Sequence, residues 1–114
     1  MPGTPFSATR HEQNGDTVLA LHGDINRAAN EALQEAYREA KSSPGRLLLD
    51  FTDVDYINST GIALIVGLLA DCRMAQRGVA AFGLSDHYRE IFSITRLSDF
   101  MAIYDDERAA LSHQ

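Results

Sequence analysis

Asn58, Ser59, Thr60 and Gly61 stand together in the stretch DYINSTGIALIVGLL, directly ahead of a run from Ile62 to Ala70 that carries no polar side chain. Two kinds of chemistry suit such residues. Asn58 or Ser59 could cap a helix by accepting a bond from a free N–H of its first turn. A hydroxyl at that positive end is also a favourable phosphorylation site, because the amides and the dipole stabilise the charge of about −1.5 to −2 that a phosphate brings. Ser59 is the candidate switch. Thr60 is the runner-up acceptor, its other role being an ordinary first-turn residue. Gly61, just inside the helix, costs up to about 1 kcal/mol relative to Ala and so needs a reason. Its missing side chain would let another surface approach the backbone and the Ser59 hydroxyl.

The remaining reactive residue types are scattered. His11, His22, His87 and His113 lie far apart and at no metal-ligand spacing, and Asp50, Asp53 and Asp55 have no second acidic cluster to complete a cation site. They are expected in a solvated loop, and no metal or cofactor is expected. Asp50 at the end of RLLLDF would suit a receiver-type phosphoacceptor, but Asp24 stands alone and no lysine follows Lys41. There is neither a glycine-rich phosphate loop nor an arguable Ser/His/Asp order, so no catalysis by this chain is expected. The single cysteine, Cys72, sits among Leu68, Leu69 and Met74 as a small core residue.

The elements that must position Ser59 follow from the pattern of apolar residues. Two short runs flank Asn14-Gly15, a dipeptide suited to a tight hairpin, with strands expected near Phe6 to Gln13 and Thr17 to His22. Gly23, Asp24 and Ile25 then fall in a loop. Ala29, Leu33, Ala36, Tyr37 and Ala40 recur at helical spacing, entered from Asn26 and ended before Pro44-Gly45. RLLLDF reads as a strand covered on both faces. The opening stretch reads as a helix from about Thr60 to Gln76, stopped by Gly78. VAAFGL and FMAIY are further strands, HYREIFSIT and DDERAALS further helices. The fold class is α/β: a mixed sheet of about five strands, a β-hairpin first and then strands alternating with helices.

Ile62 to Ala70 lacks the polar stripe that a helix on one side of a sheet normally shows to water. A domain of 114 residues has too little material to cover a helix all round, so the outer face is expected to meet a partner. The partner surface is placed on Gly23, Asp24 and Ile25, on Asn58 to Gly61, and on Ile62 and Val66. The chain reads as one domain over 1–114, with 1–5 a flexible lead-in. Its formal charge of −6, with no basic cluster, disfavours nucleic acid and anionic membrane surfaces. Apolar residues at 45%, with no signal-peptide or bilayer-length run, fit a cytoplasmic protein without membrane insertion.

VLALHGDIN, RLLLDFTDVDYINSTGIALIVGLL and VAAFGLSDHYREIFSITRLSDFMAIYDD together resemble the STAS domains, and among them the bacterial anti-sigma factor antagonists, over nearly the whole chain. That family typically carries Asp-Ser-Ser/Thr-Gly at the start of its second helix, and its phosphorylated serine corresponds to Ser59. The resemblance implies a protein that binds an anti-sigma factor with serine kinase activity, frees the sigma factor, is released on phosphorylation and is restored by a phosphatase. Asn58 departs from the usual Asp; it keeps the capping ability and loses the negative charge. An alternative within the same family is an adaptor subunit of another assembly, such as a stressosome or a lipid-transport ATPase complex, without sigma control.

Overall fold

Asn14 and Gly15, with φ of 53° and 86°, make the left-handed pair that closes a tight hairpin between β1 (Ser7–Gln13) and β2 (Asp16–Ile25). The computed structural model describes residues 3–112. After the hairpin come α1 (Asn30–Ala40), β3 (Leu47–Ile57), α2 (Ser59–Met74), β4 (Val79–Phe82), α3 (Asp86–Ile94), β5 (Ala102–Tyr104) and α4 (Glu107–Leu111). The five strands lie in the order β1-β2-β3-β4-β5, with β1 antiparallel to β2 and the other neighbours parallel. The expected mixed α/β sheet is therefore present.

Two cores explain why the central strands read as unbroken apolar runs. On one face Leu19, Leu21, Leu47 and Leu49 pack against Leu33 and Tyr37 of α1, Ile65, Leu68 and Cys72 of α2, and Phe92 of α3. On the other, Val18, Leu48, Ala80 and Phe82 meet Ala110 of α4. α4 is tied down by Arg46, whose guanidinium donates to the carbonyl of Ala110 at 2.9 Å and pairs with the buried Asp16 at 2.9 Å. Cys72 is buried as expected.

Several boundaries differ from the sequence expectations, each for a local reason. β2 runs on to Ile25, so Gly23, Asp24 and Ile25 belong to a strand rather than a loop. Its register with β3 shifts between Ala20 and His22 and again between Gly23 and Asp24, and Gly23 sits at φ 84°. These irregularities break the period-two pattern by which a strand is recognised. β3 likewise extends to Ile57, which puts Asp53 and Asp55 on a strand, exposed on its polar half. Asp50 stays within β3 and bonds locally: its Oδ1 accepts from the N–H of Thr52 at 2.9 Å and from its hydroxyl at 2.6 Å. α2 begins at Ser59 and stops at Met74. Gln76 takes the left-handed conformation (φ 56°), and the N–H of Arg77 closes onto the carbonyl of Cys72 at 2.8 Å, ending the helix before Gly78.

Two glycines of α2 contrast sharply. A Cβ on Gly61 would overlap the carbonyl oxygen of Ile25, whereas one on Gly67 would meet nothing within 4 Å. Gly61→Ala is expected to destabilise by roughly 2–4 kcal/mol, as overpacking against backbone does. Gly67→Ala should stabilise by about 0.5–1 kcal/mol through helix propensity. Urea melts of the two variants check both signs. Burial pushes the Cys72 thiol above its ordinary value of 9.0, and burial together with the neighbouring Cys72 pushes the Tyr37 phenol above 10.0. Above pH of about 9 the unfolded chain releases these protons while the fold retains them, so stability should be complete below that pH and decline above it. Melts across that range, with slow native-state alkylation of Cys72, are the expected result.

Candidate functional site

Asn58 supplies the cap that opens α2. Its backbone is extended (φ −91°, ψ −178°), its Oδ1 accepts from the N–H of Gly61 at 2.8 Å, and its carbonyl accepts from the N–H of Ile62 at 2.9 Å. Of the two possible caps, the one in use is therefore Asn58 and not Ser59. The hydroxyls of Ser59 and Thr60 make no hydrogen bond among the described residues, and both residues are exposed. Ser59 is left free of structural duty at the positive end of a helix of 16 residues.

Three elements hold that end in place. The N–H of Asn58 donates to the carbonyl of Ile25 at 3.2 Å, and Gly61 lies against the same carbonyl, so the end of β2 supports the first turn of α2 from below. From α3, the Tyr88 hydroxyl accepts from the N–H of Ile57 at 2.8 Å and lies 3.4 Å from the carbonyl of Ile57. Tyr88 has no sequence signal for this role, since a tyrosine on an amphipathic helix reads as ordinary core.

The structure separates the expected surface residues into two groups. Asn58, Ser59, Thr60, Ile62 and Val66 share the outer side of α2, with Ile62 partly covered and Val66 47% exposed. Gly23, Asp24 and Ile25 are buried and carry the site rather than presenting themselves to a partner. Pro5 crosses over Gly23, where a Cβ would overlap its carbonyl, and the Asp24 carboxylate accepts from the N–H groups of Gly3 at 2.6 Å and Thr4 at 3.2 Å. Gly61, too, is closed to a partner, its missing side chain being filled by Ile25.

Down the same helix, Val66, Leu69, Ala70 and Arg73 form a shallow apolar groove with Leu97 and Phe100. Phe100 is 58% exposed, and the Arg73 guanidinium lies 5.5 Å above its ring centre. Sequence periodicity missed Phe100 because it opens the run FMAIY, which reads as a strand although the residue precedes β5. Among the described residues, no three His, Cys, Asp or Glu side chains approach closely enough to hold a metal ion, and no helix is long and apolar enough to cross a membrane.

A family model described as "Mlab, STAS domain" matches residues 8–104. The anti-sigma-B factor antagonist of Listeria monocytogenes is 35% identical over 98 residues, covering 84% of this chain and 86% of that protein. Among solved structures, an anti-sigma factor antagonist from Mycobacterium paratuberculosis superposes with a TM-score of 0.79 at 18% identity, over 95% of this chain and 92% of that one. SpoIIAA of Bacillus in its phosphorylated form gives 0.70 at 17% identity, over 96% and 100%. A sulfate transporter family protein from Wolinella succinogenes gives 0.77 at 15%, over 90% and 87%. The structural likenesses are of fold, while the family match and the Listeria relative fix kinship: the chain belongs to the STAS domain family, in the group of the anti-sigma factor antagonists.

Proposed function

We propose that this chain is an anti-sigma factor antagonist of the cytoplasm that works by binding rather than by catalysis. The start of α2 receives an anti-sigma factor that is also a serine kinase, and Ser59 accepts the phosphate that ends the complex, a phosphatase reversing the step. The observation that carries this reading is the division of labour at the helix start. Asn58 satisfies the Gly61 amide, and the Ser59 hydroxyl beside it is exposed and unbonded, at the head of a helix face that shows Ala63, Val66 and Ala70 to water. Relatives named as anti-sigma-B factor antagonists support the partner class.

Phosphorylation on this reading acts locally. A charged group at a helix N-terminus favours the free protein by about 0.3–1 kcal/mol at an exposed site. Pressed against a partner surface shaped for a neutral hydroxyl, the same group must be desolvated without a counter-charge. Folding and binding therefore respond with opposite signs.

The test uses the purified anti-sigma serine kinase encoded by the same genome. Ser59→Ala should keep binding and lose its control by ATP, with little change in stability because Ser59 is not the cap. Ser59→Asp should weaken the complex at least tenfold, or about 1.4 kcal/mol, measured by titration calorimetry. Phosphate mapped by mass spectrometry to Thr60, or to no residue, would remove the switch from Ser59 and favour the adaptor reading.

Asn58→Asp separates capping from charge. Asn and Asp cap comparably, so the melting midpoint should hardly move, while the initial rate of Ser59 phosphorylation changes. A stability loss of about 2 kcal/mol or more with identical kinetics would make the residue purely structural.

A further inference from the structure

The backbone just ahead of Ser59 is held by a side chain from another element, and that hold has a use. On the antagonist reading, we propose that Tyr88 is a positioning residue of the Ser59 switch, its hydroxyl fixing the orientation in which Ser59 meets the kinase.

β3 outruns its neighbour. β4 pairs with it only from Leu47 to Asp50, so from Phe51 to Ile57 it runs on without β4 beside it. α3 takes that place. Phe92 is fully buried with its ring edge-on to Phe51 at 5.6 Å, and Tyr88, one turn earlier on the same helix face, accepts from the N–H of Ile57 at 2.8 Å. The helix also starts from a fixed point. Gly83 (φ 79°) lies so close to Thr52 that a Cβ would come within 2.3 Å of its hydroxyl, and the Ser85 hydroxyl then accepts from the N–H of Tyr88 at 3.3 Å. The Tyr88 hydroxyl therefore does at Ile57 what a neighbouring strand's carbonyl does elsewhere in the sheet.

Water cannot simply replace that bond. Ile57 is 5% exposed, and without the hydroxyl its N–H is left without an acceptor in a desolvated place, so the strand end has to shift. Ile57 does not shift alone. Asn58 follows it, tied to the carbonyl of Ile25 through its N–H at 3.2 Å and to the amide of Gly61 through its side chain at 2.8 Å. The end of β2 thus holds this backbone from one side and Tyr88 from the other. Ser59 comes next, and because its own hydroxyl has no hydrogen bond among the described residues, its direction is set by the backbone on which it stands. Phosphoryl transfer depends chiefly on placing the acceptor, so a small displacement here lowers the rate more than the affinity. The Tyr88 ring packs against the core with or without its hydroxyl, which leaves the hydroxyl as the part that carries this role.

Tyr88→Phe in the full chain keeps the ring and removes the hydroxyl. Amide hydrogen exchange followed by NMR should show Asn58 and Gly61 exchanging at least about tenfold faster, with Leu49 and Leu68 unchanged. With the anti-sigma serine kinase, kcat for Ser59 should fall at least about fivefold while KM stays within about twofold, since the docking surface on α2 is untouched. Val18→Ala, a truncation in the second core on the far face of the sheet, lowers stability without touching the site and should leave both kinetic constants unchanged. Unchanged exchange at Gly61, an unchanged kcat, or an equal fall in kcat with Val18→Ala would overturn the proposal. A kinase that leaves wild-type Ser59 unmodified would instead sink the antagonist reading, and the exchange measurement, which involves no kinase, would still decide whether Tyr88 orients this turn.

Discussion

The contact between Gly61 and the carbonyl of Ile25 is the constraint on which the site depends. That carbonyl, at the end of β2, accepts the N–H of Asn58 and fills the space where a Gly61 side chain would be. The two interactions fix the height and direction of the first turn of α2 over the sheet. Everything presented there, the Ser59 hydroxyl and the row of exposed small and apolar residues behind it, inherits its position from this one backbone approach. A glycine in the first turn of a helix is unfavourable alone and required here, because no other residue lets helix and strand backbones meet so closely.

The same economy governs the residues below the site. Asp24 is buried, which is costly for a carboxylate; the N–H groups of Gly3 and Thr4 both donate to its Oδ2, while its Oδ1 finds no hydrogen-bond partner among the described residues. The N-terminal segment is thereby laid across the end of β2, with Thr4 returning its carbonyl to the N–H of Asp24 at 3.0 Å. Of the flexible lead-in expected over 1–5, residues 3–5 make these contacts with the end of β2, and residues 1–2 lie outside the described residues. Tyr88 completes it from α3 by engaging the backbone of Ile57 just before the cap. Strand end, N-terminal segment and α3 converge on a few backbone groups, which is how a small domain makes one surface loop rigid.

Much of this was legible in the residues, and the rest was hidden for physical reasons. The hairpin at Asn14-Gly15, the buried strand at Leu47 to Leu49 and the amphipathic α1 each rest on a local signal that tertiary packing reinforces. The extension of β2 through Gly23 and Asp24 was not legible, because two register shifts and a left-handed glycine imitate a loop. The reason for Gly61 lay in a strand some 36 positions earlier in the chain, beyond any local pattern. An apolar run without a polar stripe signalled an unusual helix face, but only the structure separates its buried side (Ile65, Leu68, Leu69, Cys72) from its exposed one (Ala63, Val66, Gly67, Ala70).

The identity of the cap bears on how a fold of this kind can be switched at all. Had Ser59 been the cap, its side-chain oxygen would be committed to an amide of the first turn, and any modification would strain the start of the helix. With Asn58 holding the Gly61 amide, the neighbouring hydroxyl contributes nothing to folding and is free to change its charge. Asp and Asn accept the same bond, so an Asp in place of Asn58 would keep the cap and alter only the electrostatic field around the serine. On the proposed function, stability and regulation reside on adjacent residues, and a charge added to Ser59 leaves the bond made by Asn58 intact. On that same proposal, the residue that anchors the helix is the one least suited to be its switch, because its side chain is already committed to the Gly61 amide, while the neighbouring hydroxyl is not.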